Sequence, residues 1–225
     1  MDSLSNKILD FFSSLRIPTF LPRGVQVLNP YQDPTVFRLC ESFYTNYYQD
    51  ALPRTLIIGI NPGRFGGGLT GIPFTDPIRL EKVCGIPNKL TKKSELSSEY
   101  IYSMIDAYGG CEEFYRRFYF TSVSPLGFTK QGKNLNYYDD RKLAERLTPF
   151  IVDCLEIQLR WGIKRSIAYC LGEGENFKFL SRLNEEHHFF EKLQPLAHPR
   201  FIMQYKRKSV NKYIDQYLQL LNQSS

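Results

Sequence analysis

The stretch TLIIGINPGRFGGGLTGIPF, Thr55 to Phe74, sets the fold. Thr55–Ile60 is a short, unbroken apolar run. A strand buried on both faces of a parallel sheet is apolar at successive positions rather than at alternate ones. The run passes straight into Asn61-Pro62-Gly63-Arg64-Phe65-Gly66-Gly67-Gly68-Leu69-Thr70-Gly71, which reads as loop throughout. Glycine permits positive φ and lets backbone approach a ligand closely. Two phosphate-binding patterns do not fit. No Lys-Ser/Thr pair follows the glycines, and Gly-x-Gly-x-x-Gly spacing is missing directly after the strand.

Working outward, Phe118–Val123 is a second strand, ending at Ser124-Pro125. Ser166–Leu171 is a third, followed by the turn Gly172-Glu173-Gly174, and Leu193–Ala197 is a fourth, ending at His198-Pro199. Residues 1–50 read as a helix, a Pro-broken loop and a second helix near Val36–Tyr48. Ser97–Tyr108 is a helix stopped by Gly109 and Gly110, Glu175–Leu183 another, and Lys208–Leu221 a closing amphipathic helix. Asp140–Trp161 has helical spacing, but Thr148-Pro149 lies inside it. Thr as N-cap with Pro at the first helical position would start a new helix there, or mark a kink. Strands alternating with helices predict an α/β fold, a three-layer α/β/α sandwich with a central, mainly parallel sheet of about four strands. The chain fits one such domain, 1–225. Ligands of such sheets bind beyond the carboxyl ends of the strands, which is where Asn61, Ser122 and His198 fall.

The formal net charge is +6 and 15% of the residues are aromatic, a composition that suits a polyanionic, stackable partner such as nucleic acid, although a plain basic enzyme could share it. Hydrophobic residues make up 42%, which argues against disorder. The cysteines, Cys40, Cys84, Cys111, Cys154 and Cys170, form no Cys-x-x-Cys pair. Neither a disulfide framework nor a zinc or iron–sulfur site is predicted, and a reduced, intracellular compartment fits. The opening MDSLSNKILDFFSS is too polar for a secretory signal, and no run approaches the ~18 apolar residues of a membrane helix. A monomer is expected.

At the strand ends, Asn61 could position a water through its amide, and Phe74, after the rigid Pro73, could present a ring to a flat base. The plainer alternatives are a turn cap for Asn61 and a core position for Phe74. A lone histidine is more often structural, but His198 follows a strand and precedes Pro199 in a chain that also holds the Asn61 loop. His187 and His188 lie in a polar stretch and read as surface residues.

The run GINPGRFGGGLTGIPF resembles the single-strand-selective monofunctional uracil-DNA glycosylases, within the uracil-DNA glycosylase superfamily. The resemblance extends to LNPYQDPTVFRLCESFYTNYY, to CGIPN at Cys84–Asn88, to FTSVSPL at Phe120–Leu126 and to LAHPRF at Leu196–Phe201. It implies a uracil-DNA glycosylase-like fold and excision of uracil, or a related damaged base, from DNA. It implies that Asn61 orients the attacking water and that Gly63 leaves room for that water and the base. Phe74 would stack on the flipped base, the backbone of Ile60 would contact it, and His198 would hydrogen-bond its O2. Two positions depart from the family pattern. Ser122 stands where the family has a base-reading Asn, and His198-Pro199-Arg200-Phe201-Ile202 stands where it has His-Pro-Ser-Pro-Arg. A serine offers one rotatable hydroxyl where an amide donates and accepts at fixed positions. That motivates a rival preference for xanthine or hypoxanthine.

The chemistry these residue types suit needs no metal or redox cofactor. A base must be flipped out and held by stacking and edge hydrogen bonds. Breaking the glycosidic bond leaves negative charge on the base, which a preorganised neutral imidazole N–H can stabilise. Arg64, Arg200, Lys206, Arg207 and Lys208, with Lys212 nearby and Phe201 and Tyr205 interleaved, suit DNA phosphates. Lys130 and Lys133 follow the second strand. Two further rivals are a catalytically silent nucleic-acid-binding module, against which the presence of both Asn61 and His198 argues, and a phosphate-ester enzyme, for which Asp76 would be the acidic group to examine.

Overall fold

A computed structural model describes residues 2–16 and 21–224. The Pro-broken loop expected after the first helix lies in part outside the described residues, at 17–20. In chain order the elements are α1 Leu4–Ser14, β1 Val25–Leu28, α2 Pro34–Tyr48, β2 Thr55–Gly59, α3 Gly67–Thr70, α4 Pro77–Lys82, α5 Leu96–Tyr108, α6 Cys111–Arg117 and β3 Phe118–Ser122. There follow β4 Gly127–Lys130, β5 Lys133–Leu135, α7 Arg141–Leu159, β6 Ala168–Leu171, α8 Glu175–His187, β7 Leu193–Leu196, α9 Pro199–Tyr205 and α10 Val210–Leu221.

The central sheet has four strands in the order β3-β2-β6-β7, and every pair is parallel. All residues of β2, β3 and β6 are buried, which is why these strands read as continuous apolar runs. β7 is an edge strand, and it tolerates Pro195, which cannot donate to a ladder. Helices cover both faces. Tyr119 of β3 meets Tyr44 and Tyr48 of α2, while Phe118 and Phe120 on the opposite face meet Phe114 of α6. On that second face the Tyr169 hydroxyl donates to the carbonyl of Leu220 in α10 at 2.6 Å. No helix among the described residues is long and apolar enough to cross a membrane.

Three sequence expectations change. First, helix α7 runs unbroken through Pro149, and Asp140, not Thr148, caps it by accepting from the N–H groups of Lys142 and Leu143. The Thr148 hydroxyl instead donates back to the Ala144 carbonyl at 2.9 Å. An interior proline costs about 3 kcal/mol. Leu143, Leu147, Ile151, Cys154 and Leu155 are buried along one face spanning both halves, and each large apolar side chain returns about 1.5–3 kcal/mol, so continuity wins. Second, the glycine-rich loop contains a helical turn, α3. Third, a small antiparallel sheet, β1-β4-β5, lies beside the main one. Its β4–β5 hairpin turns through Gln131 and Gly132, both at positive φ (51° and 71°), as a two-residue hairpin turn requires.

Candidate active site

Parallel pairing brings the carboxyl ends of β2, β3, β6 and β7 to one edge of the sheet. A cleft of about 730 Å³ opens there, and Ile60, Asn61, Gly63, Phe74, Ser122 and His198 all line it.

Asn61 follows β2 directly. Its Nδ2 donates to the Leu135 carbonyl at 3.2 Å, and its Oδ1 accepts from the Tyr137 N–H at 3.0 Å. A donor on one side and an acceptor on the other fix which way the amide points. Oδ1 keeps a second lone pair for a further donor. Nδ2 also makes a longer, local contact to the Pro62 carbonyl at 3.4 Å, but Asn61 is more than a local turn cap, because its two shorter bonds reach more than seventy residues away in sequence. The neighbouring Gly63 makes room for an unforeseen side chain. A Cβ there would come 3.0 Å from Asn134 Nδ2, while Asn134 Oδ1 accepts from the Arg64 N–H at 3.0 Å.

Phe74 sits at φ 56°, a conformation that is strained for an aromatic residue. Its ring lies over the end of β2, where a Cβ on Gly59 would approach Cζ to 2.8 Å, so only glycine admits this close contact. The ring rests on Phe120 at 5.3 Å between centroids, is half-buried, and borders the cleft. Ser122, at the end of β3, is buried, with its hydroxyl on the same side as the Phe74 ring near Gly59.

His198 ends the β7 arm and caps α9: its Nδ1 accepts from the Arg200 N–H at 3.1 Å. With Nδ1 occupied as acceptor, the ring proton sits on Nε2. Burial, reinforced by the positive charge of Arg200, lowers the imidazole pKa to about 4. The ring is thus neutral at physiological pH, with an N–H to donate. Its centroid is 6.4 Å from that of Phe74.

The basic residues divide. Arg200 lines the cleft, but Arg64, Lys206, Arg207 and Lys208 do not. The last three are exposed just beyond α9, and Arg207 pairs with Glu99 at 3.6 Å. Lys130 is engaged with Asp140 at 3.4 Å. A rim that the sequence did not disclose carries Phe65, with Lys93 Nζ 3.6 Å and the Arg64 guanidinium 5.2 Å from its ring centre. Phe65, Phe201 and Tyr205 are exposed aromatics that all border the cleft. Asn134, Asn136, Tyr138 and Asn176 also line it.

Asp76 has a structural task. Wholly buried, it caps α4 through the N–H groups of Ile78 and Arg79, accepts from the Glu95 N–H and pairs with the Arg79 guanidinium at 2.9 Å. Among the described residues no group of three or more His, Cys, Asp or Glu side chains is placed to hold a metal ion.

A parallel four-stranded sheet flanked by helices, with an Asn and a His at its strand ends, defines the class. The family model of the uracil DNA glycosylase superfamily matches residues 45–222, and the chain belongs to that superfamily. It is a DNA glycosylase, a hydrolase of the base–sugar bond. More narrowly, it falls in the single-strand-selective monofunctional branch. Its structure is similar to the crystal structure of wild-type Pedobacter heparinus SMUG2, with a TM-score of 0.96 and 44% identity over 99% of this chain and 98% of that one. No curated protein sequence matches the chain.

Proposed function

We propose that the cleft hydrolyses the glycosidic bond of a flipped-out uracil and leaves an abasic site, with water rather than an enzyme amine as nucleophile. The observation that carries this is the pairing, in one cleft, of an orientation-locked Asn61 amide with a neutral His198 N–H donor. The base, extruded from the strand, stacks on Phe74 and meets the Ile60 backbone, the Ser122 hydroxyl and His198 at its edge. As the C1′–N bond lengthens, its electron pair moves onto the base and positive charge grows on the sugar. His198 Nε2–H stabilises the charge on O2 without transferring a full proton. Asn61 Oδ1 accepts a hydrogen bond from the water whose oxygen adds to C1′, and the proton this water sheds neutralises the departed base anion. Arg200 at the cleft, Arg64 beside the rim residue Phe65, and Lys206, Arg207 and Lys208 beyond α9 hold backbone phosphates. The enzyme acts as an intracellular monomer in one domain.

A second reading, preference for xanthine or hypoxanthine, is favoured by Ser122. Its hydroxyl rotates to donate or accept, so it does not select one base edge as a fixed amide would. Single-turnover excision from oligonucleotides carrying uracil, xanthine or hypoxanthine decides between them. Fastest release of uracil supports the first reading. Preferential release of a purine lesion supports the second.

A further inference from the structure

Asn61 does not hold its own orientation. The side chain stands at the head of a glycine-rich loop, and beyond a 3.4 Å contact with the next residue's carbonyl its two shorter hydrogen bonds are with the backbone of Leu135 and Tyr137. Whatever anchors that segment also sets Asn61. One anchor is the turn Asn136–Asp139, where Asp139 Oδ2 accepts from the Asn136 N–H at 2.8 Å and the Asn136 carbonyl accepts from the Asp139 N–H at 3.0 Å. The other is Tyr137 itself. Its side chain is fully buried, wedged edge-on against Phe179 of α8 and Tyr138 at ring separations of 4.8 and 5.0 Å.

The Tyr137 hydroxyl donates to Asn176 Oδ1 at 2.8 Å. Asn176, 2% exposed, donates in turn from Nδ2 to the Leu171 carbonyl at 3.0 Å and to Cys170 Sγ at 3.3 Å, both in β6. Burying two polar side chains is costly unless each is satisfied, and here each satisfies the other. Burial also pushes the phenol pKa up, so the hydroxyl stays protonated and available as a donor. A buried polar chain therefore runs from β6 through Asn176 and Tyr137 to the Asn61 amide at the end of β2.

We propose that Tyr137 and Asn176 are positioning residues for Asn61, holding its Oδ1 on the line along which water approaches the sugar. This rests on the water-orienting reading of Asn61 given above. Neither side chain touches the base in this scheme. Both act through the backbone at positions 135 and 137.

The test is a double-mutant cycle. Tyr137→Phe keeps the ring and its contacts with Phe179 and Tyr138 and removes only the hydroxyl. Single-turnover excision should fall about tenfold, short of the ~100-fold that a full ångström of misplacement can cost, with affinity for lesion DNA unchanged. In an Asn61→Ala background the same change should alter the residual rate by less than about twofold, because the group it positions is gone. Asn176→Ala should behave alike from the other end of the chain. An independent readout is the Asn61 side-chain amide signal in a ¹⁵N NMR spectrum, assigned by its loss in Asn61→Ala, which should shift or broaden in Tyr137→Phe. An unchanged signal, an unchanged native rate, or an equal loss in both backgrounds overturns the positioning role. If Asn61→Ala excises as fast as the native enzyme, the function reading fails as well.

Discussion

His198 offers the sharpest electrostatic test. Its pKa is lowered from 6.5 to about 4, first by burial and then by the charge of Arg200. That difference corresponds to about 3 kcal/mol against placing a proton on the ring in the folded protein. The sign follows from proton counting. Between pH 6.5 and 4 the unfolded chain binds a proton at this site and the folded chain does not. Stability is therefore full above pH 6.5 and declines as pH falls toward 4, by at most about 1.4 kcal/mol per pH unit from this group. For activity, a ring with pKa 4 is about 3% charged at pH 5.5, whereas an ordinary ring would be about 90% charged. The ratio of native to His198→Ala single-turnover rates should thus stay constant from pH 8.5 down to 5.5, and an NMR titration of His198 should show no inflection near 6.5. His198→Ala itself should slow excision by roughly one to three decades, the range for losing one transition-state donor. A ratio that collapses with a midpoint near 6.5 would refute the buried neutral ring. A ratio that rises toward acid would assign the donor role to an imidazolium.

Neutralising Lys206, Arg207 and Lys208 together should weaken binding to damaged and undamaged DNA alike and flatten the dependence of affinity on salt, as counterion release requires, while leaving lesion preference unchanged. Arg207 is exposed and its partner Glu99 only partly buried, so loss of the pair should cost at most about 1 kcal/mol of stability, measured by denaturant titration. Ser122→Asn should act oppositely, shifting preference toward uracil in a three-lesion excision assay with little change in salt dependence.

How much of this was legible before folding depends on what each residue's signal reports. β2, β3 and β6 were readable because strands buried on both faces are apolar throughout, whereas the edge strand β7, LQPL, carries only a partial form of that signal. Asn61, Ser122 and His198 were readable because strand ends in such a sheet converge, Phe74 was readable only from its place after Pro73 and from the family resemblance, and the structure brings all four to one cleft. At Pro149 only the new-helix alternative fails, because the buried stripe runs along both halves of α7 and overrides the local propensity. The hairpin β4–β5 was missed because its strands are short and polar, although Gln131-Gly132 between GFTK and KNL was a usable turn signal. With the hairpin went everything it delivers to the cleft: Asn134, Asn136 and the backbone that holds Asn61. Those contacts span seventy or more residues, a distance at which no periodicity or spacing carries information.

The central claim is that Asn61 directs water onto the sugar of an extruded base. The most direct test is single-turnover excision of uracil from an end-labelled single-stranded oligonucleotide by the native enzyme and by Asn61→Ala, with strand scission read before and after alkali and binding affinity measured alongside. The expected result is scission by the native enzyme only after alkali, and near-abolition of it in Asn61→Ala at undiminished affinity. Scission without alkali, or an Asn61→Ala enzyme that loses binding and turnover equally, would contradict it.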